Sequence, residues 1–400
     1  MLEYEYSEDG SDYGDFDEDV DADFNGSDDE VSDLSVSLDD LLARLVDSDA
    51  KVRVRALWTL GDLGPVAVGP HADALIERFE DADADVRMTA VDTLGKLEPE
   101  TLAQHASAVV GRLEDDNLDV IYQALFTLRQ LEPAALAQHA DAVVGMLEVA
   151  DDCVRDAALV TLGKLEPAKL AQYASAVVAR LENEEEVRYK ALVTLGKLEP
   201  ATLTQHADAV VARLEDSNYV VRKEALVTLG KLEPATLAQY ANALVVRLED
   251  SDWEVRMHAL QTLGELKPAA LAPHAAVVVL RLEDAEPVVC SEALETLDKL
   301  EPAALAQHAG AVVGKLNDPF PPVCGAALNI LRRLPLVITR HIDFDSHNLR
   351  SRLLGRIAWY RCLLRLRVRR ITLYWYALPY RPSGPGHARD VVAWGRMHEE

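Results

Sequence analysis

Only four cysteines occur in 400 residues, Cys153, Cys290, Cys324 and Cys362. None forms a close pair, so the pattern implies neither a zinc module nor a disulfide framework. No run of about 18 uncharged apolar residues exists, which removes a spanning helix from the expectation. The amino terminus (MLEYEYSEDGSDYGDFDEDVD) is acidic where a secretory or organellar leader is basic and apolar. A cytoplasmic or nuclear chain is therefore expected. Glycine-rich phosphate loops, nucleophile elbows and metal-ligand spacings are also missing. The expectation is a non-enzyme that holds no cofactor.

Charge of one sign is missing from each end. Residues 1–42 hold 17 Asp or Glu and no Lys or Arg, whereas residues 332–400 hold 14 Arg, no Lys and five acidic residues. The net charge of −28 thus divides into −17 and +9 at the ends and −20 between them. A segment with so much charge and so few aliphatic side chains cannot offset its ordering entropy by burial. Residues 1–32 are expected to form an acidic disordered tail.

What the chain has is repetition. The Arg of a recurring Val-Arg pair, or its equivalent, falls at Arg53, Arg87, Ile121, Arg155, Arg188, Arg222, Arg256, Cys290 and Cys324, every step being 34 residues except one of 33. One unit reads LVTLGKLEPATLAQYANALVVRLEDSDWEVR, from Leu226 to Arg256. Leu237, Tyr240, Ala241, Leu244 and Leu248 recur at helical spacing, as do Val255, Ala259, Leu260 and Leu263, so each unit contains two amphipathic helices. Proline follows each second run (Pro99, Pro133, Pro167, Pro200, Pro234, Pro268, Pro302) and can end one helix and open the next. An Asp or Ser in the LEDSD-type link can cap the second helix. A lone hairpin would leave an apolar face wet, so nine are expected to stack and share one core.

The pattern D-x-x-x-x-V-R-x-x-A-L-x-x-L-G, seen in Asp250, Val255, Arg256, Ala259, Leu260, Leu263 and Gly264, resembles the HEAT repeat. That resemblance implies an all-α fold, a right-handed α-α superhelix of about nine two-helix repeats over residues 33–334. It also implies a hydrogen-bonded Asp and Arg ladder between neighbouring repeats, carried over onto Asp47 with Arg53, Asp81 with Arg87, Asp216 with Arg222 and Asp250 with Arg256. Ile121, Cys290 and Cys324 replace the Arg, Val149 replaces one Asp, and the fifth repeat lacks a residue in that loop. The period is shorter than the roughly 40 to 47 residues usual for HEAT repeats and closer to the tetratricopeptide length, but the tetratricopeptide signature is missing.

Positions that never vary between repeats serve stacking, whereas variable positions are free for a partner. In HEAT proteins the outer face of the second helix lines the concave surface. One of its columns reads Trp58, Asp92, Phe126, Val160, Val193, Val227, Gln261, Glu295 and Asn329. With helices about 8 to 10 Å apart, Phe126 to Val227 would form an apolar strip rimmed by Tyr122, Tyr189, Lys190 and Lys223 and extended by Met257 and Gln261. The expected function is a protein-protein interaction scaffold or adaptor that binds a segment of a partner here. The alternative is that these side chains bury against the facing first helix.

The ring series His71, His105, His139, Tyr173, His206, Tyr240, His274 and His308 resembles a ligand set. Its members are a whole repeat apart, however, while zinc needs its nitrogens about 2 Å from one ion. Short HEAT-like arrays also occur in bilin lyases and deoxyhypusine hydroxylase, which supplies an enzyme alternative. The hydroxylase resemblance implies paired His-Glu motifs, and only His398-Glu399 matches.

Residues 335–400 leave the period and form an Arg and aromatic-rich module, expected to be mainly helical and then extended. Strict alternation over Leu364 to Arg369 would also suit a strand. Arg361, Arg365, Arg367, Arg369 and Arg370 are candidates for binding phosphate, through nucleic acid or an anionic membrane. The competing expectations are a cap on the last repeat and pairing with the chain's own acidic segments.

Overall fold

The structure, a computed structural model, describes residues 37–334. The acidic tail and the Arg-rich module, with their candidate anion-binding arginines, lie outside the described residues. The described chain is all-α, with helices packed as repeats and no strand among these residues. Packing divides the described residues into two compact units that meet between His105 and Ala106 in sequence.

The second helices run Ala50–Asp62 and Ala84–Gly95 in the first unit. In the second unit they run Leu118–Leu128, Asp152–Leu162, Glu185–Leu195, Tyr219–Gly230, Trp253–Gly264, Pro287–Asp298 and Pro321–Arg333. We number the repeats 1 to 9 by these nine helices. Asp49, Asp83, Asn117, Asp151, Asn218 and Asp252 begin six of them, each accepting a backbone N–H of the first turn through its side chain. Proline occupies the first helical position of the segments Pro133–Leu136, Pro167–Leu170, Pro200–Thr204, Pro234–Leu237, Pro268–Leu271 and Pro302–Ala306, where its missing donor costs nothing.

Most first helices differ from the single apolar run expected, although that of repeat 3, Pro99–Gly111, is continuous. In repeat 7, Pro234–Leu237 gives way to a 3₁₀ turn, Ala238–Tyr240, before Ala241–Arg247 resumes. The ring residue sits at the break, with φ −100° and ψ 2° at Tyr240 and φ −116° and ψ 6° at His206. Leu237, Ala241, Leu244 and Leu248 are buried while Tyr240 is only half-buried. The tighter turn lets the ring stand at the edge, where the Tyr173 and Tyr240 hydroxyls donate to Asp141 and Asp208 of the preceding repeat at 2.7 and 2.9 Å. The two tyrosines of the ring series thus link neighbouring repeats, and the described residues hold no cluster of His, Cys, Asp or Glu suited to a metal.

Three polar ladders join successive repeats over a core of Leu, Val and Ala. The first is the Arg and Asp ladder, in a register different from the one carried over. Each Arg gives Nη1 to a loop carbonyl of its own repeat, as Arg222 does to Asp216 at 3.0 Å, and forks the carboxylate of the next repeat's Asp. The side-chain pairs are Arg53 with Asp81, Arg188 with Asp216, Arg222 with Asp250 and Arg256 with Asp284, at 2.6 to 2.9 Å. Each such Asp also accepts the backbone N–H two residues on, as Asp250 does from Asp252 at 3.0 Å. Both carboxylate oxygens are therefore held, and although burial acts against the charge, these bonds keep Asp81, Asp250 and Asp284 below the usual carboxylate range.

The second ladder runs from Arg78, Arg180, Arg213, Arg247 and Arg281 to the carbonyls of Leu45, Leu147, Leu181, Leu214 and Leu248 in the preceding repeat, at 2.6 to 3.0 Å. The third is buried. Thr161, Thr194, Thr228, Thr262 and Thr296 donate to the carbonyls of Leu125, Leu159, Leu192, Leu226 and Leu260, at 3.0 to 3.2 Å, and Thr93 does the same to Leu57. Where Cys replaces the anchor Arg, the thiol turns to carbonyls of its own repeat: Cys290 Sγ lies 3.2 Å from the Leu282 carbonyl and 3.4 Å from that of Asp284, the latter the counterpart of the Arg contact, and Cys324 Sγ donates to Leu316 at 3.1 Å.

Candidate docking face

A step of four residues returns to the same side of a helix, so each second helix shows solvent one row of positions. In repeat 3 the row is Leu118, Tyr122, Phe126; in repeat 4, Asp152, Asp156, Val160, Lys164; in repeat 5, Glu185, Tyr189, Val193, Lys197; in repeat 6, Tyr219, Lys223, Val227, Lys231; in repeat 7, Trp253, Met257, Gln261, Glu265. These five helices pack in sequence within the second unit. The residues expected to form the strip are thereby brought side by side. Phe126 is 37% and Tyr122 46% exposed, Gln261 is exposed, and Val160, Tyr189, Val193, Val227 and Met257 are half-buried. Neither Phe126 nor Tyr122 is buried against a first helix.

Most charges on this face are satisfied locally. Lys223 Nζ reaches Glu254 at 2.8 Å, Lys190 lies 3.4 Å from Glu186 and over the Tyr189 ring, and Gln261 donates to Glu292 at 3.2 Å. The Arg129 guanidinium sits 4.6 Å from the centroid of the Phe126 ring, a cation-π contact that leaves the other ring face to solvent. Two carboxylates are exceptions. Burial pushes Asp156 up to about 6 against the opposing Lys190, and Glu224 up to about 7 against Lys231 and Lys223. Burial likewise raises the Tyr189 phenol and lowers the His258 imidazole.

Sequence reasoning missed Asp156, Leu118, Tyr219 and Trp253, which share the rows already named; Tyr219 and Trp253 are 37% and 39% exposed. Extending the four-residue step toward the helix start from Tyr122, Val160, Val227 and Gln261 would have found them. It also missed the lysines that close the rows. A shallow cavity of about 270 Å³ lies beside Asp250, Arg256, Arg281 and Asp284. Its charges are already committed to the ladders, so it belongs to the stacking.

The HEAT-repeat family model matches residues 38–129 and 207–298. No curated protein sequence matches this chain. Among solved structures, an engineered protein from the Northeast Structural Genomics Consortium is 17% identical, with TM-score 0.55, covering 83% of this chain and 99% of its own. A chain from the structure in which Kap95p binding induces the switch loops of RanGDP to adopt the GTP-bound conformation is 12% identical, with TM-score 0.55. That match covers 80% of this chain and 47% of the other, so this chain spans about half of its length. A chain from the structure on the phosphorylation switch between cadherin and β-catenin is 18% identical, with TM-score 0.46, covering 73% of this chain and 69% of its own. Among the described residues no helix is long and apolar enough to cross a membrane. The period, the buried ladders, the family match and the shared fold agree: the chain is a HEAT/armadillo-like helical repeat protein.

Proposed function

We propose that this protein is a non-catalytic scaffold that holds a segment of a partner protein across the second helices of repeats 3 to 7. HEAT/armadillo-like solenoids commonly serve as interaction scaffolds, and one structural neighbour comes from a complex of Kap95p with RanGDP. The observation that carries the reading is the row of Phe126, Val160, Val193 and Val227. It leaves aromatic and aliphatic surface to water on four successive helices while every other large apolar position of those helices' inner side is sealed. Surface of this kind, rimmed by polar side chains, marks a place where another chain sits.

The test is comparative affinity purification from the native cell, full chain against a Phe126→Glu and Val193→Glu double variant with unchanged helicity by circular dichroism. A partner that the wild type recovers should fall by tenfold or more with the variant, since two buried charges facing an apolar partner cost at least that much. Equal recovery would remove the strip from the function.

A further inference from the structure

Repeats 4, 5 and 6 share the stretch LVTLGKLEPA, at 159–168, 192–201 and 226–235. Its lysines, Lys164, Lys197 and Lys231, close the exposed rows one helical turn beyond Val160, Val193 and Val227. The Lys197 ammonium lies where a side chain on Gly163 would begin, 3.0 Å from that position, and the Lys231 ammonium stands in the same relation to Gly196 at 2.9 Å. Lys197 and Lys231 thus lean over the helix end of the preceding repeat, and the glycine there makes room for each, whereas the counterpart of that glycine in the repeat before Lys164 is Arg129. Like charges face one another along this line: burial, then Lys164 and Lys231, lower the Lys197 pKa.

The same register elsewhere is neutralised. Lys96 pairs with Asp92, one turn earlier in its own helix, at 3.3 Å, and Lys299 pairs with Glu265 of the preceding repeat at 3.4 Å. In repeats 4 to 6 the position of Asp92 is Val160, Val193 or Val227, and none of the three lysines has a carboxylate within ion-pair distance. A chain whose net charge is −28 therefore keeps three cations without a direct ion pair in a line beside its apolar strip, Glu224 acting on Lys231 only at longer range. The opposite rim carries the carboxylates Asp152, Asp156 and Glu185 in repeats 4 and 5, while its lysines Lys190 and Lys223 are tied to Glu186 and Glu254.

We propose that Lys164, Lys197 and Lys231 bind the carboxylates of an acidic, apolar segment of a partner protein whose aliphatic side chains rest on Val160, Val193 and Val227. This rests on the docking role proposed above and names the chemistry of the partner. Helices packed about 8 to 10 Å apart set the spacing of the ammonium groups. A segment in the polyproline II conformation advances about 3.1 Å per residue and returns to the same face every third residue, so an Asp or Glu at every third residue meets each lysine in turn. The acidic rim fixes which edge of the segment carries its charge. The chain's own Asp12, Asp15, Glu18 and Asp21 have that spacing as well, so the test must separate them from a partner.

The probe is a fluorescein-labelled peptide of five Asp-Ala-Leu triplets, with an Asn-Ala-Leu counterpart, titrated into the full chain and followed by anisotropy. The Asp peptide should bind about tenfold tighter at low salt than at several hundred millimolar salt and about tenfold tighter than the Asn peptide, as three rim ion pairs allow. A Lys164→Gln, Lys197→Gln, Lys231→Gln variant should erase the preference. A preference that survives in that variant overturns the assignment, as does the lack of any binding. So does tighter binding of single-stranded DNA of equal charge, which would make the row a phosphate site. If both peptides bind alike and Phe126→Glu with Val193→Glu removes both, the strip stands and the lysine row does not. In the full chain, Asp12→Asn, Asp15→Asn, Glu18→Gln and Asp21→Asn together should leave the affinity unchanged; a tenfold gain would assign the row to the chain's own acidic segment.

Discussion

Repeats 5 to 8 and repeats 3 to 5 stack by different chemistry on the same scaffold. From repeat 5 to repeat 8 each junction carries a forked Arg and Asp pair, Arg188 with Asp216, Arg222 with Asp250 and Arg256 with Asp284. Two junctions earlier the pair is gone. The register that joins Arg222 to Asp250, 28 residues on, sets Ile121 opposite Val149, and sets Arg155 opposite Asn183, so that Arg155 turns back to Asp152 on its own helix. The threonine ladder runs through both regions unchanged, Thr161 to Leu125 and Thr194 to Leu159 in one, Thr228 to Leu192 and Thr262 to Leu226 in the other. Apolar packing and buried hydroxyls thus suffice to stack a repeat, and the charged fork is an addition. A buried ion pair contributes little beyond an apolar replacement of similar volume, but losing one partner alone is costly.

That comparison breaks most sharply at Arg222, which is 9% exposed. Asp250→Ala strands its guanidinium and should destabilise the chain by about 3 kcal/mol, read as a lower midpoint in urea. Arg222→Ile with Asp250→Val copies the junction of Ile121 and Val149 and should recover most of the loss. A double variant as unstable as the single would show that repeats 5 to 8 depend on the charge itself.

The next effect turns on pH. Glu224 has its pKa raised to about 7, burial being the first cause and Lys231 and Lys223 opposing it. A carboxyl raised in the folded state contributes most below its unfolded value, near 4.5, and loses that contribution as pH rises through about 7. Glu224→Gln removes the titration. The variant should therefore be more stable than the wild type at pH 8, by on the order of 2 kcal/mol, and the gap should close by pH 4. Asp156→Asn should behave alike with a smaller gap that closes lower, because Asp156 is raised only to about 6. A gap independent of pH would mean that both carboxyls are solvated.

Much of the fold was legible because one chain samples each position nine times. The period of the Val-Arg anchor placed every second helix, and the prolines placed the starts of the first. The register of the ladder was not legible. Asp216 precedes Arg222 by six residues and invites a local pairing, but Arg188 reaches it from one repeat earlier, since stacking brings the preceding helix closer than the local loop allows. The break in the first helices was hidden as well, because Tyr240 fits the helical stripe of Leu237 and Leu244 by spacing alone. At the candidate face, Phe126 and Val193 were found as departures from the repeat. Lys164, Lys197 and Lys231 escaped because they repeat, and repetition was read as structural. Their significance lies in what their helices lack, the carboxylate that Asp92 gives Lys96.

The smallest effect tests what both regions share. Thr228 is fully buried and its hydroxyl donates to Leu192 at 3.2 Å. Valine matches its shape, so Thr228→Val removes one hydrogen bond and no volume. The Leu192 carbonyl keeps its helical partner, the Gly196 amide at 2.9 Å, so no buried acceptor is left bare. The cost should be about 1 kcal/mol, and Thr194→Val, at a junction without a fork and likewise with a single acceptor, Leu159 at 3.1 Å, should cost the same. If Thr194→Val cost clearly more, the hydroxyls would be compensating for the missing Arg and Asp pair, and the two stacking chemistries would not be independent. Equal costs would leave the fork as a device of register, separable from the packing that holds repeats 3 to 8 together.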